Sequence, residues 1–119
     1  MKYKAITVYG IPNCDTVKKA RTWLTDHGFE YVFHDFKKQG EIHLDAWLQS
    51  VGWEVVVNRK GTSWRKLSPS EQASVVSGAS ARPYLLANPS LIKRPVIEWL
   101  SDTDNEITVG YQPDQWLAR

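Results

Sequence analysis

Residues 4–33 read KAITVYGIPNCDTVKKARTWLTDHGFEYVF, and the spacing of their apolar positions changes twice. Lys4 to Tyr9 is β-branched and aromatic and is closed by Gly10, Pro12 and Asn13, which predicts a strand running into a turn. From Asp15 to His27 the residues Val17, Ala20, Trp23 and Leu24 fall at helical spacing, Lys and Arg fill the other face, and Gly28 supplies the stop. Phe29 to Phe33 alternates as a second strand, which a crossover helix places parallel to the first. The opening unit is therefore βαβ.

Downstream the pattern turns helical and then returns to strands. Glu41 to Val51 reads as a helix ended by Gly52, Glu54 to Asn58 as a shorter apolar element, and NRKGTSWRKL (58–67) as a basic loop. Ser70 to Ser77, with a capping-type Ser and a Pro just before it, and Arg82 to Ala87 read as two short helices. Val96 to Leu100 and Glu106 to Val109, separated by the polar turn SDTDN, read as an antiparallel hairpin. A last helix, Pro113 to Leu117, opens with Pro and Asp in its first turn. The order βαβ, helices, ββα predicts an α/β fold built on a mixed sheet with a helical insertion.

A chain of 119 residues with 42% hydrophobic and 24% charged side chains can bury one core without disulfides or metals, and lies outside the disordered class. It has no apolar run of the roughly 18 residues that a membrane helix needs, and its start shows no signal-like apolar stretch. A cytoplasmic protein with no membrane partner is expected. The single cysteine, Cys14, excludes an internal disulfide and a Cys-rich metal site. Between Val55 and Pro95 seven cations (Arg59, Lys60, Arg65, Lys66, Arg82, Lys93 and Arg94) stand against one anion, Glu71, in an otherwise acidic chain. That stretch reads equally as a solvated helical face or as a site for something anionic.

Cys14 sits where the first strand turns into the first helix. Unpaired N–H groups and the positive end of the dipole at a helix start favour an anion, so a thiol there ionises below the free value of about 8.5. A lone cysteine is otherwise most often a buried packing residue; the turn Pro12-Asn13-Cys14-Asp15-Thr16 favours the nucleophile. The carboxylate of Asp15 opposes a neighbouring thiolate, or serves the cap. His27, His34 and His43 fit no zinc spacing and read as structural, so no metal is expected. The six Trp residues lie mostly at apolar-periodic positions and read as core rather than as base-stacking platforms, and no nucleic acid is expected. Lys18, in the first helical turns, reads as part of a solvated face, with a role at the site as the alternative.

YGIPNCDTVKKARTWL (9–24), followed by NRKGTSWRKL (58–67) and NPSLIKRPVI (88–97), resembles the arsenate reductase (ArsC) and Spx family over nearly the whole chain. The resemblance implies a single thioredoxin-like domain carrying a helical insertion, placed here at about residues 38–90. It is strongest to the YffB-type members, to which glutathione-dependent thiol reduction is ascribed. It puts Cys14 at the nucleophile, Arg59 and Arg94 at active-site arginines, and Pro95 at the proline held in cis beside the cysteine. Asn13, Asp15, Thr16, Pro95 and Gln112 are then the candidate substrate contacts. Where arsenate reductases carry a further arginine before the proline of their C-terminal segment, this chain has Gln112.

Two charged forks instead of three argue against an oxyanion as substrate, because planar Arg groups hold such anions best. The expected activity is thiol-disulfide reduction through a Cys14 adduct, with glutathione as co-substrate, no bound cofactor, and glutathione or a glutaredoxin resolving the adduct. Arsenate reduction is one alternative, with Arg59 and Arg94 as clamps. The other is an Spx-like regulator that binds RNA polymerase. An internal redox switch of the Spx kind is excluded, because Asp15, Thr16 and Val17 follow Cys14 with no second cysteine.

Overall fold

A computed structural model describes residues 3–39 and 42–118. They divide into two compact units, one formed by residues 3–39 and 94–118 and the other by 42–93. Each is taken in turn.

The first unit is a four-stranded sheet. Strand β1 (Ala5–Gly10) is followed by helix α1 (Asp15–Asp26), strand β2 (Val32–Asp35) and one helical turn, α2 (Phe36–Gln39). After the second unit come β3 (Val96–Leu100), β4 (Asn105–Val109) and a terminal helix, Pro113–Leu117. The strand order is β2-β1-β3-β4, with β2 parallel to β1 and both β3 pairings antiparallel. This is the mixed α/β sheet, thioredoxin-like in its βαβ and ββα halves, that the sequence predicts.

Alternation along the strands sorts the side chains. Ile6, Val8, Ile97 and Trp99 lie on one face, where Ala20 and Leu24 of α1 and Trp116 of the terminal helix join them in one buried cluster. That cluster is largely aromatic. Trp99 and Trp116 are fully buried, Trp23 and Tyr111 meet Trp116 edge-on at 5.3 and 5.4 Å, and Phe29 meets Trp99 edge-on at 5.8 Å. Two indole N–H groups in it converge on one acceptor: the Thr108 hydroxyl takes Trp99 Nε1 at 2.9 Å and Trp116 Nε1 at 3.3 Å. On the opposite face Tyr9 donates its hydroxyl to Glu98 at 3.0 Å, with the His34 ring tilted against its own at 4.7 Å. Burial, and then the charge and hydrogen bond of Glu98, push the Tyr9 phenol well above its usual pKa, so it stays a donor.

The second unit is helical: α3 (Leu44–Val51), α4 (Trp53–Val56), α5 (Thr62–Arg65), α6 (Pro69–Ser74), α7 (Gly78–Ala87) and a 3-10 turn, Pro89–Leu91. A bridge between Val57 and Ile92 ties the residue after α4 to the last residues of the unit. No helix among the described residues is long and apolar enough to cross a membrane.

Several boundaries differ from those predicted. Strand β2 begins at Val32, not Phe29, because the Phe29 N–H closes the end of α1 on the Leu24 carbonyl while its ring packs into the core. The Phe36–Gln39 turn was not anticipated. The predicted start at Glu41 lies outside the described residues, and α3 itself begins at Leu44, after His43. Residues 54–58 give a helical turn and then the Val57 bridge, and the basic stretch contains α5. Helix α6 is capped by Ser68 with Glu71 in a reciprocal box, so it starts before Ser70 and ends at Ser74. Helix α7 reaches back to Gly78 because Ser77 caps it in the same way, and it tolerates Pro83. Gly78 and Pro83 hide such a helix from its composition.

Thr108→Val keeps the shape of the side chain and takes the shared acceptor from two buried indoles. A loss of about 1–3 kcal/mol for each indole left unsatisfied is expected in urea unfolding, whereas Thr108→Ser should retain most of the stability.

Candidate functional site

The site is built at the join of β1 and α1. Gly10, the last residue of β1, is buried, and a Cβ placed on it would lie 2.8 Å from a methyl of Val17, in the first turn of α1. Only a residue without a side chain lets strand and helix approach this closely. The four residues between them turn tightly, with the Cys14 N–H donating to the Ile11 carbonyl at 3.2 Å and the Lys18 N–H to the Cys14 carbonyl at 3.0 Å. Cys14 is therefore the N-cap of α1, in extended backbone conformation, and is half-buried.

Opposing influences act on its thiol. Burial raises its pKa, but the Val17 N–H, the Arg94 guanidinium through its hydrogen bond and charge, and the Thr16 N–H favour the thiolate and outweigh it. The net effect lowers the thiol below its ordinary value. Arg94 is half-buried and precedes Pro95 through a cis peptide bond, and buried Pro95 leads directly into β3. The Pro95 carbonyl accepts the Gly110 N–H at 2.8 Å, which ties this turn to the end of β4.

The other predicted residues are placed as follows. Asn13 and Asp15 are exposed on either side of Cys14, and Asp15 is the first residue of α1. Thr16 contributes its N–H. Gln112 is the half-buried N-cap of the terminal helix, where its carbonyl accepts the Trp116 N–H at 3.1 Å. Arg59 belongs to the second unit, where it is exposed with its guanidinium 5.5 Å from the Trp53 ring. The structure thus brings Cys14, Thr16, Arg94 and Pro95 into one neighbourhood within the first unit.

Two contributors were missed in the sequence. Val17 reads there as a core residue only, yet its N–H, together with Arg94 and the Thr16 N–H, favours charge on the sulfur. Gly10 reads as a turn residue, yet it is a contact surface for Val17. Counting from the N-cap would have indicated the Val17 N–H, since N2 and N3 are where a capping group is received.

Gly10→Ala should displace the first turn of α1. Expected are a loss of about 1–3 kcal/mol, as for an overpacked core, and a Cys14 pKa moved upward in alkylation profiles. Val17→Ala in the same chain should bring the pKa back down. The thiol also links stability to pH. Because its folded pKa is depressed, the unfolded chain binds the extra proton between the two values, so stability rises with pH through that window. The stability of the wild type relative to Cys14→Ser, followed by urea titration, should be greatest above the unfolded thiol pKa and fall as pH drops through the folded one.

Comparison with known proteins gives a consistent picture. The sequence model of the ArsC family matches residues 9–119. An uncharacterized protein of Haemophilus influenzae is 40% identical over 116 residues, which cover 95% of this chain and 96% of the relative. Among solved structures, the YffB protein superimposes with a TM-score of 0.85 at 43% identity, covering 96% of this chain and 97% of that one. An arsenate reductase (ArsC) related protein from Brucella melitensis gives a TM-score of 0.73 at 49% identity, covering 96% and 92%.

Proposed function

We propose that this chain, which belongs to the ArsC family, is a thiol-disulfide reductase that uses Cys14 as its nucleophile and glutathione as its co-substrate. The observation that carries this reading is the thiol at the start of α1, acidified by two backbone N–H groups and Arg94 against the opposing effect of burial. The thiolate is the attacking form of cysteine.

The chemistry needs only one cysteine. The Cys14 thiolate attacks the glutathione sulfur of a mixed disulfide, RS–SG; the Cys14–SG bond forms, the RS–SG bond breaks, and RS⁻ leaves and takes a proton from water. The thiolate of a second glutathione then attacks the glutathione sulfur of the adduct, releasing oxidised glutathione and regenerating the Cys14 thiolate. The substrate sulfur is reduced and two glutathione sulfurs end as one disulfide. With no second cysteine in the chain, the resolving thiol must come from outside, whether as glutathione or as a glutaredoxin.

Arsenate reduction is the second reading, favoured by the similarity to the arsenate reductase (ArsC) related protein of Brucella melitensis. Against it stands Gln112, an uncharged amide at the start of the terminal helix. An anion with several charged oxygens is held best by charged planar donors.

Iodoacetamide alkylation against pH should give a single thiol titrating below the free value of about 8.5, and Arg94→Gln should move that midpoint upward. Cys14→Ser should abolish glutathione-dependent reduction of a mixed disulfide in a coupled glutathione reductase assay. A Cys14→Ser protein with full turnover would overturn the reading. Arsenate-dependent oxidation in the same assay, supplemented with glutaredoxin, would transfer the activity to the second one.

A further inference from the structure

The exposed ridge of α1 is flanked by two grooves, and they differ in what their cations do. One, of about 230 Å³, is lined by Arg21, Thr22, Thr25, Asp26 and Tyr31. Its cation is committed: Arg21 donates to the Tyr31 hydroxyl at 2.9 Å and lies 4.1 Å from the Phe33 ring. The other, of about 370 Å³, is lined by Lys18, Lys19, Thr22, Trp23, Asp26 and Tyr111. Lys19 Nζ stands 5.0 Å over the Tyr111 ring, while Lys18 is exposed and, like Asp26, forms no ion pair among the described residues.

This second groove runs along α1 from the helical turn that follows Cys14. Lys18 follows Cys14 by four residues, one helical turn or about 6 Å of rise, so both fall on one side of α1. Tyr111, just past the end of β4, forms the opposite wall. The groove has a polarity along α1: two lysines toward the Cys14 end of the helix, flat aromatic surface from Trp23 and Tyr111, and a carboxylate, Asp26, at the helix's last residue. Its volume lies in the range of small-ligand sites.

From this we infer that the groove between α1 and Tyr111 recognises the peptide portion of the sulfur substrate, with Lys18 and Lys19 taking a carboxylate close to the reacting sulfur. The ligand class is a short peptide-like thiol or disulfide whose carboxylate lies near its sulfur and whose ammonium lies at the far end, toward Asp26. Glutathione offers its glycine carboxylate close to the sulfur and, at its γ-glutamyl end, an ammonium that sits beside a second carboxylate. The inference rests on the reductase reading for its purpose, but the binding it describes does not require Cys14 to react.

The experiment separates the two. S-methylglutathione cannot form a disulfide, so its titration into 15N-labelled protein reads the groove alone. Amide shifts are expected at Lys18, Lys19, Thr22 and Tyr111, with affinity falling about tenfold in the double variant Lys18→Gln, Lys19→Gln, the lower end of the effect of charge focusing in a cleft. The glycyl ethyl ester of the same ligand should bind the wild type as weakly. In the reactive arm, the ratio of Cys14 oxidation rates with oxidised glutathione and with neutral bis(2-hydroxyethyl) disulfide should fall by a similar factor in the double variant. Absence of shifts at these residues with millimolar ligand, equal binding by the double variant, or an unchanged rate ratio with a reactive cysteine would each overturn the groove assignment. A wild-type Cys14 unreactive toward both disulfides, with S-methylglutathione still titrating these amides, would overturn the reductase reading and leave the groove standing.

Discussion

The contact between Gly10 and Val17 is the constraint on which the rest of the site depends. Strand β1 must end, turn through four residues and begin a helix whose first turn presses back on the strand it left. A side chain at position 10 would occupy the space of the Val17 methyls. Because Val17 is pinned there, fully buried, its N–H is held at a fixed place, and that N–H is one of the groups favouring charge on Cys14. Packing at the strand end thereby becomes electrostatics at the sulfur. A helix whose first turn could fray would offer the same donors only part of the time, and the thiol would drift back toward its ordinary acidity.

The second support is the aromatic layer beneath α1. Thr108 accepts both indole N–H groups on the inner face of β4, so the strand and the terminal helix are fixed together at the Trp99 and Trp116 rings. Tyr111 and Gln112 lie on the short connection between them, and Gly110 is tied to the Pro95 carbonyl. The segment across from α1 is therefore held at both ends. A polar interaction inside an apolar core specifies one arrangement of large rings that could otherwise slide, because each alternative would leave an indole N–H unsatisfied. The wall facing Lys19 inherits that order.

Much of this was legible in the sequence, and the pattern of what was not has physical causes. The βαβ start, the hairpin and the terminal helix carry clean periodicity because each has one buried face, and they emerge within a few residues of their observed bounds. The insertion was blurred. Its helices are mostly four to ten residues long, too short for a period to declare itself, and their boundaries are set by caps at Ser68 and Ser77 that a nearby Ser70 or an internal Pro83 conceals. Cys14 and Arg94 could be singled out because a turn and a motif marked them. The Val17 N–H has no letter of its own and is reached only by counting three residues on from a cysteine already recognised as the N-cap. The role of Tyr111 could not be singled out, since it depends on a helix packed beside it and separated by some ninety residues of chain.

On the proposed reductase reading, the opposing influences on the thiol bear on both halves of the reaction. A cysteine acidified without limit would be fully ionised but a poor nucleophile, because nucleophilicity falls with basicity, and the best attacking thiol has a pKa near the ambient pH. At Cys14 burial works against three sets of donors, and the outcome is a lowering, with the donors only partly offset. The same lowering assists the second half of the cycle. When an outside thiol attacks the glutathione sulfur of the adduct, Cys14 is the leaving group, and a more acidic thiol leaves faster. Val17, Thr16 and Arg94 thus stabilise one charge at two moments: before attack, when the thiolate must exist, and at resolution, when it must re-form. On that reading a chain with a single cysteine has no internal thiol to force the second step, and the quality of Cys14 as a leaving group, set by the first turn of one helix and one arginine, governs whether the proposed adduct turns over.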